Sequence, residues 1–303
     1  MTKRVLGTNY ELEKPIEDTV LVEYEVEPHI ARVTLNRPEK HNALFPPEGF
    51  QEVEKRLREL ADRDDVKVII LRGAGPSFCS GDDLNRTPFE AFGGVPGEKL
   101  PQSKRVIGIK QTTSLFPAMV ELLKPVIVQA HGTLLGAGFQ MALCADLVVA
   151  AESARFSRAE QRIGFGGQDP FTNLLAVLTF GPKRARELLL TGTAYDAATM
   201  HDWGLVNEVV PDAELEEATL RWARGIAAHA TDGLVIGRMF HQITLSQLGF
   251  HQNYLTSLLS HPLFTNLVWR QDEWNFLRER DKASATSEAF SQREERWADI
   301  AGF

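Results

Sequence analysis

Two glycine-rich turns, each set behind a short run of β-branched and aliphatic residues, limit what this chain can fold into more than any other feature. The first, Cys79-Ser80-Gly81-Asp82-Asp83, follows Val66–Leu71 through a loop that begins at Gly73. The second, Leu135-Gly136-Ala137-Gly138-Phe139-Gln140, follows Val126–Ala130. A continuous apolar run bounded by charge and glycine reads as a strand buried on both faces, as in sheets covered by helices on each side. Neither turn is a nucleotide loop. After Gly73 and Gly75 the third glycine of a dinucleotide fingerprint is missing, and there is no Gly-Lys-Ser/Thr. Taken singly, each turn is more often structural than functional. The information lies in the order in which they occur.

The remaining periodicities supply that order. Val20–Val26 and Ile30–Leu35 alternate partly with polar residues around Glu27-Pro28-His29, which predicts a hairpin. Phe50, Val53, Leu57, Leu60 and Ala61 recur at helical spacing. A long helix is expected over Lys104–Leu123, ahead of Pro125. His131–Gly138 is expected to turn into a helix running to about Cys144, and Leu147–Ala150 to form the next strand. From Pro170 the pattern is mostly helical. Pro182 suits the first turn ahead of Arg184–Leu190. Asp196 can cap a short helix that stops at Gly204. Leu215, Ala218, Trp222 and Ile226 mark another helix. The stretch from His251 to Trp297 carries Trp269, Trp274, Phe276, Phe290 and Trp297 among many charges, and reads as a helical arm packed on the body or on a neighbouring subunit. Strands alternating with helices, followed by helices, give an α/β core with a helical C-terminal part. The divisions are an N-terminal extension over 1–19, a core over 20–210 and a helical region over 211–303.

In this order the sequence resembles the crotonase (enoyl-CoA hydratase/isomerase) superfamily. Seven stretches carry the resemblance: Asn36–Leu44, the Phe78–Leu84 loop, Lys124-Pro125-Val126-Ile127, His131–Gln140, Ala145-Asp146-Leu147, Phe156–Gly164 and Gly192–Val210. It covers roughly Val20 to Ile243. The fold it implies is α/β, a ββα spiral core with a helical C-terminal trimerisation region. The chemistry it implies is capture of an acyl-CoA thioester whose carbonyl oxygen becomes anionic when the α-carbon loses a proton or the β-carbon gains a nucleophile. Two preorganised N–H donors stabilise that charge, and losing one such donor typically costs about 3 to 4 kcal/mol. By resemblance the donors are the amides of Asp82 and Ala137, the second at a helix N-terminus that favours an anion. The family usually has a small residue at the Asp82 position, so the Asp82 side chain is expected to point away from the oxyanion. Lys40, His41, Ala43 and Leu84 match positions near the coenzyme, with Ser80, Gly81 and Gly136 beside them. Without the resemblance, Lys40 reads as a surface lysine.

The acid–base set departs from the family. Hydratases hold the attacking water with two carboxylates. The first of these positions is Gln140 here, and a neutral amide orients water but does not take its proton. The second is Glu160, whose alternative is a surface salt bridge with Arg158 or Arg162. Asp169 matches a base or nucleophile of some relatives, and reads equally as a helix cap ahead of Pro170. Three functions therefore stay open. An enoyl-CoA hydratase or isomerase would use Glu160 at the α-carbon. A hydrolase of a β-diketone or cyclic β-oxo-acyl-CoA would use Asp169. A non-catalytic acyl-CoA binding subunit would use neither.

Bulk properties exclude other classes. The 303 residues carry a formal charge of −8, which argues against nonspecific nucleic-acid binding. No window approaches a membrane span and Met1–Asp18 lacks an apolar segment of signal-peptide length, so the expected compartment is cytoplasmic. Cys79 and Cys144 are expected to be free thiols. His131 is expected to be structural. His201, His229, His241 and His251 show no ligand-like spacing, so no metal is predicted. No cofactor is expected beyond coenzyme A as part of the substrate, and the resemblance implies a homotrimer or homohexamer.

Overall fold

The computed structural model describes residues 12–85, 92–93, 100–164, 170–264, 270–283 and 285–301. The expected hairpin forms from β1 (Val20–Glu27) and β2 (Ile30–Leu35), paired antiparallel with Val20 opposite Leu35. After α1 (Glu48–Ala61), strands β3 (Val68–Gly73), β4 (Val126–Ala130), β6 (Leu147–Ala151) and β9 (Glu208–Val210) extend the sheet in parallel, in the order β1-β2-β3-β4-β6-β9. A second small sheet joins β5 (Thr133–Leu135), β7 (Arg155–Ser157) and β8 (Tyr195–Asp196). The repeating unit is therefore a strand in the large sheet, an extended step in the small one, then a helical segment. β4 and β5 lead into α4 (Ala137–Cys144); β6 and β7 lead into the short 3-10 helix Ala159–Ile163. This is the ββα spiral.

Side-chain alternation explains why the strands read as unbroken apolar runs. In β3, Ile69 and Leu71 enter one core while Val68 and Ile70 enter the other; in β4, Val126 and Val128 face away from Ile127. Both faces of the sheet are covered, so β4 is buried throughout and β3 and β6 are buried at all but one residue each, Arg72 and Leu147. The first core packs α1, α3 (Leu115–Glu121) and α4 on one face. The second is closed by α7 (Leu215–Ala227) through Leu215, Ala218 and Ala223.

Two expectations are corrected. The long helix over Lys104–Leu123 is two helices, α2 (Gln102–Thr113) and α3, separated at Ser114. Pro117 has no N–H to offer the Thr113 carbonyl, which ends the first ladder. The segment between His131 and Gly138 is more than a turn, since it contains β5, too short for periodicity to reveal. The second half also holds β8 and β9, of two and three residues. Elsewhere the signals agree with the structure. α5 (Pro170–Thr191) breaks at Gly181 and restarts on Pro182, and the Asp196 carboxylate accepts from the Thr199 amide at the start of α6 (Ala197–Asp202).

The C-terminal part is helical: α8 (Thr231–Gln247), α9 (Phe250–Phe264), α10 (Phe276–Lys282) and α11 (Thr286–Ala301). The arm packs on the body. Phe276 is fully buried with Ile163, Leu84 and Phe290 around it, and Arg280 donates to the Leu84 carbonyl at 2.9 Å. α8 and α9 expose Ile236, Phe240, Ile243, Leu255 and Leu259, with Phe240 at 67% and Leu259 at 71%. No helix among the described residues is long and apolar enough to cross a membrane.

Candidate active site

The two glycine turns, 55 residues apart in the chain by their central glycines, Gly81 and Gly136, are bound to each other by the backbone. The Cys79 amide donates to the Thr133 carbonyl at 3.0 Å, and the Leu135 amide donates to the Cys79 carbonyl at 3.0 Å. On its other side the first turn is bound to the segment after β2. The Leu44 amide donates to Gly81 O and the Asp83 amide to Leu44 O, both at 2.8 Å. These two bonds bracket Asp82. By strand alternation its own amide faces away from Leu44, toward the second turn. Gly81 has φ +96°, a conformation that L side chains rarely adopt. A methyl group on Gly81 would lie 3.6 Å from the Ala137 nitrogen.

Gly138 is required for a different reason. A Cβ at this position would stand 2.3 Å from the Cys79 carbonyl oxygen, so only glycine lets α4 begin this close to the first turn. The Gly136 amide is tied to Ser157 O at 3.2 Å. Ala137, the first residue of α4, sits where a helix leaves its amides without intrahelical acceptors and presents its positive end. The Gly81 backbone and the Ala137 amide are thus brought to neighbouring positions.

Glu160 reaches the same point from the 3-10 helix Ala159–Ile163. Its Oε1 would be 3.5 Å from a Cβ on Gly136, and it accepts from Gln140 Nε2 at 3.4 Å. Its Oε2 is buried and accepts no hydrogen bond among the described residues. The salt-bridge alternative does not hold: Arg162 turns the other way, to Glu294 at 3.0 Å and over the Trp297 ring at 5.0 Å, and Glu160 forms no ion pair among the described residues. Gln140 is itself buried. A carboxylate with an unused oxygen, next to two clustered backbone turns, can carry a proton to or from a bound ligand.

A cavity of about 740 Å³ opens onto this group. Lys40, His41, Ala43, Ser80, Gly81, Asp82, Leu84, Gly136, Gln140 and Glu160 all border it. Ala137 lies one residue behind the surface. Lys40 and Glu39 mark its mouth, with side chains 39% and 44% exposed. Phe50 and Phe116, packed edge to face, form its closed end at 1% and 2% exposure. Asp83 does not serve the cavity chemically. It is buried against the Arg37 guanidinium at 2.9 Å, and Arg37 also holds the Ala43 carbonyl at 2.6 Å and Glu13 at 2.9 Å. That buried cluster fixes the mouth to the first turn. His131 is structural as expected, its Nε2 2.9 Å from the Gly75 carbonyl oxygen. Cys79 and Cys144 are free and buried, and burial pushes the Cys79 thiol up to about 12, which keeps it protonated. Asp169 lies outside the described residues.

Other cavity residues were not found from sequence. Thr112 and Thr113 come from α2, Ser257 and His261 from α9, and Thr286, Phe290 and Arg293 from the arm. None sits in a motif. The one usable signal was spacing: Ile109, Thr112, Thr113 and Phe116 fall on one side of a helical run.

Comparison with known proteins gives a consistent picture. Residues 25–249 match the family described as Enoyl-CoA hydratase/isomerase. The chain is 34% identical over 224 residues to a mevalonyl-coenzyme A hydratase of Beauveria bassiana (strain ARSEF 2860), covering 70% of this chain and 75% of that one. It is 33% identical over 209 residues to a 1,2-epoxyphenylacetyl-CoA isomerase of Escherichia coli (strain K12), covering 69% and 77%. Among solved structures, an enoyl-CoA hydratase/isomerase from Xanthobacter autotrophicus Py2 superposes with a TM-score of 0.79 at 26% identity, over 92% of this chain and 98% of that one.

Proposed function

The chain belongs to the enoyl-CoA hydratase/isomerase family, and from that premise we propose that it binds an acyl-CoA thioester in the 740 Å³ cavity and moves a proton at the α-carbon with Glu160. The thioester carbonyl sits between the amides of Asp82 and Ala137, which stabilise its oxygen as the enolate forms. The coenzyme leaves past Lys40 and His41, and the acyl group extends toward Phe50 and Phe116. The reading is supported by one observation: Glu160 keeps a buried oxygen without a donor among the described residues while it lies beside Gly136, which itself packs against Gly81 of the other turn.

Glu160 is the acid and base of the reaction. It removes a proton from the α-carbon, or delivers one after a nucleophile has added at the β-carbon. Gln140 holds the Glu160 carboxylate through its amide and leaves its own carbonyl for a water or a ligand hydroxyl. One carboxylate is enough to shift a double bond, because the proton that leaves one carbon can return to another. Hydration needs water activated by that same single group. The chain is therefore an enoyl-CoA hydratase/isomerase with isomerisation as its stronger activity. The relatives' names include both a hydratase and an isomerase.

Glu160→Gln tests this. The variant keeps the shape and the contact with Gln140 but cannot exchange a proton, so turnover of enoyl-CoA thioesters, and exchange of the α-proton with deuterated water, should fall by two decades or more. An unchanged exchange rate would refute the assignment.

A further inference from the structure

Beyond the reaction itself, and resting on the acyl-CoA reading above, the walls of the cavity define which acyl group it accepts. The closed end is not a plain apolar slot. Besides Phe50 and Phe116, α2 and α9 line the cavity with residues bearing hydroxyl and imidazole groups: Thr112 and Thr113 from one, Ser257 and His261 from the other. Ser257 and His261 stand four positions apart, on one face of α9. Thr112 and Ser257 are each only 5% exposed.

The hydrogen bonds of these groups determine what they can receive. A hydroxyl has one proton and two lone pairs. Thr112 gives its proton to Gly108 O at 3.1 Å, Thr113 to Ile109 O at 2.8 Å, and Ser257 to Tyr254 O at 2.6 Å. With their protons committed to their own helices, all three face the cavity as acceptors. His261 is held neutral: burial and the nearby Arg105 push its imidazole down to about 4. These four groups therefore make this part of the wall rich in acceptors, while Arg293 also borders the cavity. A plain alkyl chain would strip water from these oxygens and return no hydrogen bond. A hydroxyl offers the missing proton and carries no charge.

We propose that the closed end of the cavity selects an acyl group bearing a hydroxyl remote from the thioester, with Ser257, Thr112 and His261 as its specificity-determining residues. The ligand hydroxyl donates to Ser257 or Thr112 and lies within the imidazole's reach.

Binding of unreactive saturated thioesters tests this without relying on turnover. Calorimetry with hexanoyl-CoA and ω-hydroxyhexanoyl-CoA, and with the corresponding butanoyl pair, should show the hydroxylated member binding about tenfold or more tightly for at least one chain length. Ser257→Ala, Thr112→Val and His261→Leu should each bring that ratio toward one; Thr112→Val, close to isosteric, keeps the test open if His261→Leu fails to fold. Equal affinities within both pairs, a ratio untouched by all three variants, tighter binding of adipoyl-CoA, or binding of none of these thioesters would each overturn the proposal. Turnover of the matching enoyl thioesters is read separately. Discrimination in binding with no proton exchange at the α-carbon would leave the pocket assignment standing and remove the catalytic one.

Discussion

In the proposed reaction the deciding residue is Glu160, and what distinguishes it is an oxygen that meets no donor among the described residues. Arg162, two positions away, spends its guanidinium on Glu294 and Trp297. The family resemblance over Phe156–Gly164 marked Glu160 as a candidate but could not separate a catalytic carboxylate from a salt-bridged one, because that depends on where each arginine turns. His261 shows the opposite case, a titratable group that no motif announces. Its folded-state value of about 4 lies below the ordinary 6.5, so between those values the unfolded chain holds a proton that the folded chain does not. Stability from this group is fully present above 6.5 and is lost as pH falls toward 4, by at most about 3 kcal/mol. Denaturant unfolding across that window should show the loss, and His261→Leu should flatten it. A slope unaffected by the substitution would mean that other groups carry the acid sensitivity.

At the scale of elements, the site is a consequence of two turns forced together. α4 begins against the first turn because Gly138 lets the Cys79 carbonyl approach within the space a side chain would fill. Gly138→Ala should cost about 1 to 3 kcal/mol by overpacking. It should also lower turnover more than thioester affinity, since it displaces the Ala137 amide; thermal unfolding with steady-state kinetics reads both. The mouth depends on a different element contact. Arg37 binds Asp83 and the Ala43 carbonyl together, joining the segment after β2 to the first turn. Asp83→Ala leaves the guanidinium buried beside fewer acceptors, and breaking a buried pair from one side costs about 3 to 5 kcal/mol. Chemical denaturation should show a loss of that size, whereas a loss below about 1 kcal/mol would identify the pair as peripheral. The turns themselves were legible in sequence because glycine is read from a single letter. The break between α2 and α3 was less so, since Pro117 acts through a carbonyl four residues earlier and the apolar pattern runs on across it.

For the whole molecule, the unfinished surface is on α8 and α9. Ile236, Phe240, Ile243, Leu255 and Leu259 are exposed on the two helices, and Phe240 and Leu259 are about two-thirds or more exposed. An apolar surface of this kind calls for a partner, and a second copy of the chain, as in the trimer or hexamer implied by the resemblance, would cover it. Sedimentation at micromolar concentration should give a trimer or hexamer. Replacing Phe240 and Leu259 with Ser or Asn should shift the distribution toward monomer. A monomeric parent protein would sink the assembly reading while leaving the site untouched. The arm adds a second global feature, as α10 and α11 fold back over the loop after the first turn instead of projecting away. Its aromatic residues were visible in sequence, but its docking site was not.

What the amino-acid sequence determined by itself is local. It set the hairpin, the doubly buried strands and the two glycine turns, because each follows from side-chain periodicity or from backbone freedom within a few residues, whereas Glu160 was marked by the family resemblance. What only the tertiary structure decided is how distant pieces meet. Arg280 reaches the Leu84 carbonyl across 196 positions, and Ser257 and His261 complete a cavity begun by Gly81 and Gly136. Such contacts follow from the packing of whole helices on the sheet, where a helix is placed by its apolar face and its polar cavity residues travel with it. No short pattern records that placement, so the chemistry of the turns could be read along the chain while the shape of the pocket around them could not.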